Sequence, residues 1–433
     1  MFRTLSCCLL LLSSLSQAQG VDLRLHGSNT VGGELAPALV EHWLRAQGFV
    51  AIERQQQAIS ELMLTATAAD GHRLRVEIQS HGTSTGFADL LAGRGDLWMA
   101  SRPVSRNEVE QARSLGRLDH PDQEHVLGLD GLAIVVHPDN PLQSLTLEQL
   151  RQVFSGKIRD WSGVGQGAGK ITIYARDQQS GTWDTFNSLV LSGAQLRVDA
   201  RRFESNAELS ASVARDPFGI GFSGLAAVAA AKPLAIGSEV TVPLLPSSQT
   251  VGTEDYLLAR RLFLYHRKQV DPLAQSLVDF ALSAQGQRVV EQIGYVPLRI
   301  VATPATTAAN APGEYRELVE GASRLSLNFR FGTGLSLLDS KAERDIQRLV
   351  AFMSRPENKD RQIRLAGFAD RSEGSAFFSL SLSNDRVDYV ATRLAKAGVR
   401  PQMARGFGGS VPVAPESSAL GKLKNRRVEV WLY

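Results

Sequence analysis

The sequence predicts an α/β protein in two folded parts, and three observations carry that expectation. Strand-like apolar runs alternate with helix-like spacing over the first two thirds of the chain. A small, polar, proline-punctuated stretch at 301–313, VATPATTAANAPG, then reads as a linker. A shorter β-α-β-α-β pattern follows it. At 433 residues, with 43% hydrophobic and 21% charged residues, the chain can form more than one core and has a soluble, globular composition. The net charge of +3 is small for this length. The basic cluster Lys422, Lys424, Arg426 and Arg427 is short, so nothing indicates a nucleic-acid binder.

Residues 1–18 read as a signal peptide. Arg3 is the positive start, Leu9 to Leu12 the apolar core, and Ser16-Gln17-Ala18 the small-residue cleavage pattern. Cys7 and Cys8 are the only cysteines, so a processed chain would have no disulfide and no thiolate metal site. No later segment is apolar and long enough for a membrane helix. A periplasmic or secreted protein is the expectation.

In the region 21–300, Leu23-Arg24-Leu25-His26 is a strand that runs into Gly27-Ser28-Asn29-Thr30, and Leu35, Leu39 and Trp43 then recur at helical spacing. Val76 to Ser80 is a strand that runs into Gly82-Thr83-Ser84-Thr85-Gly86 and a helix. Asp96 to Ala100 is a strand ending at Ser101-Arg102-Pro103. Leu132 to Val136 reads as a buried strand. Ile171 to Ala175 is a strand leading into Arg176-Asp177-Gln178-Gln179-Ser180-Gly181-Thr182-Trp183. In 314–433, strands are expected at 326–331, 362–367 and 428–432, with helices at 342–353 and 382–397.

The turns after these strands share one chemistry. A strand, a hydroxyl-rich turn and a helix start bring backbone N–H groups, hydroxyls and positive dipole character to one point. Arg176 adds a planar donor fork. This suits a compact oxyanion, and open α/β sheets bind ligands at such carboxyl ends. The alternative is a set of N-caps beside a surface arginine. No nucleophile–base pair or metal cluster accompanies the turns. His26 and His81 have no adjacent acid in sequence and read as structural. A non-enzymatic protein without cofactor or metal is expected.

Residues 21–300 resemble the PstS family of periplasmic phosphate-binding proteins. The carriers are Gly27 to Val31, Gly82 to Gly86, Ala100-Ser101-Arg102, Phe154 to Trp161, Arg176 to Thr182, Gly219 to Phe222 and Tyr256 to Leu262. The resemblance implies a two-lobed, type II-like binding-protein fold that closes around one dehydrated oxyanion. It implies an anion site at Thr30, Val31, Thr83, Arg176, Ser180, Gly181 and Thr182, and the turns extend the candidate set to Ser28, Asn29, Ser84, Ser101 and Arg102. Family members carry an aspartate where this chain has Arg102. An arginine can only donate, which favours anions generally but removes an acceptor for the proton of hydrogen phosphate. Asp89 and Asp177 are the substitutes in reach. Sulfate and phosphorylated or carboxylated small molecules stay open beside phosphate.

Residues 314–433 resemble the OmpA-like peptidoglycan-binding domain, a small α+β fold. Its carriers are Gly367-Phe368-Ala369-Asp370, Gly374, Leu382 to Val387, Ala397-Gly398-Val399, Gly406-Phe407-Gly408 and Asn425 to Glu429. The resemblance implies that Asp370 and Arg386 meet the ammonium and carboxylate of a diaminopimelate side chain. The chain has Ser379 where the family has asparagine, Ala369 where it has threonine, and one extra residue between Asp370 and Gly374. The plainer alternative pairs Asp370 with Arg386.

The combined expectation is an oxyanion-binding module tethered non-covalently to peptidoglycan in the periplasm, with an ABC permease as a further partner. A wall-fixed protein cannot diffuse freely to a permease. The competing expectation is an envelope scaffold or adhesin built on a binding-protein fold.

Overall fold

The structure is a computed structural model that describes residues 20–304, 311–331 and 338–433. The expected signal peptide at 1–18 and residues 305–310 of the expected linker lie outside the described residues. Among the described residues no helix is long and apolar enough to cross a membrane.

An 11-stranded sheet dominates the large region. Strands Arg73–Gln79, Leu23–Gly27 and Leu97–Ala100 run parallel, so their carboxyl ends align. An antiparallel hairpin, Phe49–Ala58 with Glu61–Ala68, extends one edge. On the other side, Ala259–Tyr265 runs antiparallel to Leu97–Ala100 and then to Glu124–Val136. The 13-residue strand Glu124–Val136 is buried throughout. Its first half pairs with Ala259–Tyr265 and its second half with Gly219–Gly224. Thr172–Arg176 and Arg201–Phe203 then continue in parallel. The long strand thus belongs to two lobes, and the near-continuous apolar run at 132–136 reflects burial on both faces.

A five-stranded sheet forms the C-terminal domain. Its strands, in spatial order, are Ala302–Pro304, Ser323–Arg330, Arg427–Leu432, Ile363–Gly367 and Met403–Gly406. Helices Ser340–Met353 and Ala376–Lys396 supply Ile346, Leu349, Val387, Val390 and Leu394 to its core. The second helix starts six residues before the expected 382, where the Ser375 side chain caps the Phe378 N–H. Phe377 and Phe378 are exposed, and this breaks the apolar periodicity that would mark the first turns.

The expected linker needs correction. Ala302–Pro304 is an edge strand of the second sheet, and Gly313 begins a helix, Gly313–Val319. The two domains are also fastened by a buried polar seam. Arg261 holds Glu254 through both Nε and Nη2, at 2.8 and 2.9 Å, and reaches Asp339 at 2.8 Å. Arg330 donates to the Thr253 carbonyl at 2.7 Å and meets Asp255 at 3.3 Å. Lys424 donates to the Tyr256 carbonyl, Arg344 to the Glu124 carbonyl, and Ser340 bonds the Glu124 carboxylate. A short polar sequence reads as a tether, but partners from distant positions decide whether the flanking units dock.

Candidate functional sites

The parallel strand trio delivers three of the turns to one end of the sheet. Ser28, Asn29 and Thr30 follow Leu23–Gly27. The Ser28 side chain accepts from the Thr30 N–H at 3.2 Å, and Val31 opens a helical turn with its side chain in the core. Thr83 and Ser84 start the helix Thr83–Leu91. Gly86 lets that helix approach the first strand: a Cβ there would lie 2.4 Å from the His26 carbonyl oxygen. The Thr83 hydroxyl stands 3.3 Å from that of Ser101 and accepts from the Ser101 N–H. The Trp98 indole N–H fixes the Thr83 carbonyl at 2.7 Å.

The other lobe presents the fourth turn. Ser180 caps the helix Gly181–Phe186 by accepting from the Trp183 N–H at 3.0 Å. As first-turn donors, the Gly181 and Thr182 N–H groups have no intrahelical acceptor. This turn meets the first across the cleft. The Thr30 hydroxyl donates to the Gly181 carbonyl at 3.2 Å, and a Cβ on Gly181 would lie 2.3 Å from the Thr30 Cα. The lobes are therefore in contact at the expected anion position. Asn29 donates to the Gln179 carbonyl, and its buried Oδ1 has no hydrogen-bond partner among the described residues.

Arg176 is nearly buried, and much of its fork is already used. Its Nε and Nη2 donate to the carbonyls of Phe203 and Glu204 at 3.2 and 2.6 Å, while Nη1 stands 3.5 Å from the Thr182 hydroxyl. Arg102 corrects the expectation of a free anion donor. Both of its Nη atoms clamp Glu108, at 2.8 and 2.7 Å. Glu108 completes a capping box with Ser105, and this buried carboxylate needs a cation. Neither substitute acceptor is free: Asp89 is tied to His26 and Arg94, and Asp177 accepts from the Gln179 N–H.

The two histidines gain acids that sequence proximity hid. His26 sits between Asp89 and Glu77, each at 2.9 Å, and His81 meets Glu61 at 2.9 Å. A polar cavity of about 450 Å³ beside His26 is lined by Arg24, Glu77, Asp89 and Arg94, but by none of the expected anion-binding residues.

Arg260 is the functional candidate that sequence reasoning missed. Its Nη2 donates to the Thr30 hydroxyl at 2.6 Å and to the Gly181 carbonyl at 3.0 Å, while Nε meets Asp130 at 3.2 Å. The doublet Arg260-Arg261 was the available signal. On a strand the two point to opposite faces, so one serves the cleft and the other the domain seam. Thr185 also donates to Asp130, and the Tyr295 hydroxyl donates to the Thr30 carbonyl.

Asp184 lies in the first turn of the Gly181–Phe186 helix. Burial pushes its carboxyl up to about 6, Arg260 opposes the rise, and Asp177 adds to it. Above that pH the carboxylate adds negative charge beside the cradle. Sulfate does not titrate in this range, so its affinity should fall about fivefold between pH 5 and 7, the effect of roughly 1 kcal/mol. Asp184→Asn should flatten that profile in calorimetric titrations.

In the C-terminal domain, Asp370, Ser379 and Arg386 are all buried. Asp370 and Arg386 do not pair with each other. Asp370 accepts from the Ser372 N–H and hydroxyl and meets Arg426 at 3.2 Å. Arg386 donates to both oxygens of Glu373 at 2.9 and 2.7 Å. The Ser379 hydroxyl and the Arg386 Nε have no hydrogen-bond partner among the described residues.

Two family profiles match the chain: a PBP superfamily domain over residues 51–285 and the OmpA family over 330–426. The first begins after the Ser28–Thr30 turn. The chain is 31% identical over 265 residues to the protein SphX of Synechococcus elongatus, across 58% of this chain and 77% of SphX. It is 28% identical over 271 residues to the phosphate-binding protein PstS of Pseudomonas aeruginosa, across 58% of this chain and 82% of PstS. In fold it is similar to an ABC-type phosphate transport receptor from Vibrio cholerae, with a TM-score of 0.50, 23% identity, and 64% of this chain and 99% of the receptor covered. A possible phosphate binding protein from Planctomyces limnophilus gives a TM-score of 0.52 and 23% identity over 64% of this chain and 92% of that one.

Proposed function

The chain belongs to the PBP superfamily, as a PstS-like protein that also carries an OmpA domain, and from that premise we propose that it binds inorganic phosphate or a closely related oxyanion. One observation carries this reading. Turns from two lobes, Ser28–Thr30 and Ser180–Thr182, meet within hydrogen-bonding distance at helix starts. Backbone N–H groups and hydroxyls there replace the water shell of an anion, and opening and closing of the lobes admits and holds it. The buried, unpaired Asn29 Oδ1 is an acceptor for the proton of hydrogen phosphate, which sulfate lacks. With Arg102 neutralised by Glu108, this acceptor favours phosphate over sulfate. The role is binding rather than catalysis.

Calorimetric titration of the full chain with phosphate and with sulfate tests this. Phosphate should release heat, raise the melting temperature and bind at least tenfold tighter than sulfate. Heat from neither anion would remove the reading.

The C-terminal domain places this module in the envelope by binding peptidoglycan through Asp370 and Arg386. The seam between the domains gives that attachment a fixed geometry relative to the cleft. Retention of the anion near the wall, with handover to an ABC permease in reach of it, is the physiological role we assign.

A further inference from the structure

We propose that the turn Arg371–Glu373 is a gate over the wall-binding pocket, with the Glu373 carboxylate standing in for the ligand's own. The proposal rests on the peptidoglycan reading above and adds a regulation to it.

The sequence offers one extra residue between Asp370 and Gly374, and the structure uses the longer segment to close the pocket. Asp370 caps the single turn, and Glu373 bonds back to the Asp370 N–H at 3.0 Å. This capping box fixes where the Glu373 side chain goes. Its two oxygens lie on the two Nη atoms of Arg386, the bidentate geometry a carboxylate ligand would take. One of them also lies 3.1 Å from the Arg426 Nε. Ser372 meanwhile occupies both Asp370 oxygens through its N–H and hydroxyl. The acid expected to greet an ammonium and the base expected to greet a carboxylate are thus both satisfied by the same three-residue turn. Neither Asp370 nor Arg386 is exposed to solvent.

Two polar groups on the helix that carries Arg386 mark the place as a pocket rather than a finished ion-pair core. The Ser379 hydroxyl and the Arg386 Nε are buried and unbonded among the described residues, although native interiors satisfy most such groups. A zwitterionic ligand therefore displaces the turn: its carboxylate replaces Glu373 on Arg386, and its ammonium replaces Ser372 on Asp370. The turn is held from outside by Arg371, which donates to the Gly409 carbonyl and, through its N–H, to Glu416. These are single exposed contacts that can break without disturbing the sheet.

Full-length protein is sedimented with purified diaminopimelate-type sacculi and titrated with a diaminopimelate-containing muropeptide. Glu373→Gln keeps the cap acceptor and removes the competing charge, and should bind at least tenfold tighter than wild type. Glu373→Asp, one methylene shorter, keeps the charge but holds its carboxylate back from the two Nη atoms, and should bind with intermediate affinity. Adding Arg386→Ala to Glu373→Gln should abolish the gain. Where circular dichroism shows the Gln variant unfolded, the Asp variant carries the comparison. Wild type that pellets with sacculi as well as or better than both Glu373 variants overturns the gate and leaves the wall reading standing. Sacculi that pellet none of these proteins overturn the wall reading, and the gate with it.

Discussion

Replacing Glu254 with alanine should lower the stability of the docked protein by about 3–5 kcal/mol, the usual effect of removing one partner from a buried ion cluster. Glu254 is buried where the two domains meet. It faces Arg261 at 2.8 Å, Arg330 at 3.8 Å and Lys341 at 3.9 Å, the last two from the C-terminal domain. The alanine leaves three buried or nearly buried cations with one carboxylate fewer. Burial alone would raise the Glu254 carboxyl, but Arg261, Arg330 and Lys341 more than offset it and hold it at about 2. The depressed value is a stability statement. The contribution, about 3 kcal/mol by linkage, is complete above the unfolded value of 4.5 and disappears as pH falls from there toward 2. His125 acts in the same direction. Burial, then Arg344 and His266, pull its ring from 6.5 down to about 2, so its contribution is full above 6.5 and declines with acid. Differential scanning calorimetry from pH 7.5 to 3.5 should show the first transition moving down steadily, with a shallower slope below pH 4.5 in Glu254→Ala. A variant melting like wild type throughout would show that the seam does not contribute to stability.

How much of this was readable in the chain depends on how local each signal is. Strand ends, the Ser-Gly-Thr turn and the helix start after it are set by neighbours in sequence, and they lie where the apolar runs put them. Arg102 and Glu108 are only six positions apart, yet their pairing depends on how the chain turns between the Leu97–Ala100 strand and the helix Arg106–Gln111. Arg260 reaches Thr30 across 230 positions, and Asp89 reaches His26 across 63, so no pattern of spacing announces either contact. The same holds for the seam. The 301–313 stretch looks like a tether because its own residues cannot form a core, while the residues that dock the domains are charged and scattered. Charged residues usually signal surface. Glu254, Arg330 and Lys341 are buried with opposite charges close by: Arg261 for Glu254, Asp255 for Arg330 and Asp345 for Lys341. The extra residue before Gly374 was legible as a departure from pattern, but its effect was not, since that depends on where Glu373 lands.

Gly181→Ala should weaken phosphate binding by about fivefold to about 150-fold while leaving the separate lobes folded. Helix propensity favours the change, because alanine is a better helix former than glycine by roughly 1 kcal/mol. Contact opposes it. The added Cβ would lie 2.3 Å from the Thr30 Cα and 2.6 Å from its hydroxyl oxygen. Backbone cannot yield as the end of a flexible side chain can, so the closed arrangement must open. Overpacking of this kind costs about 1–3 kcal/mol, and because it is present only when the lobes meet, it falls on closure rather than on folding. At about 1.4 kcal/mol per tenfold, this gives the stated loss of affinity. Thr30→Ser separates the contact from the hydroxyl's chemistry. It keeps the donor to the Gly181 carbonyl and the acceptor for Arg260 but removes a methyl group, so it should retain binding within a few-fold. Calorimetric titration of both variants, with small-angle scattering to report lobe separation, makes the distinction. An alanine variant that binds phosphate as tightly as wild type would place the anion away from the Thr30–Gly181 contact and leave Ser180 as a helix cap alone.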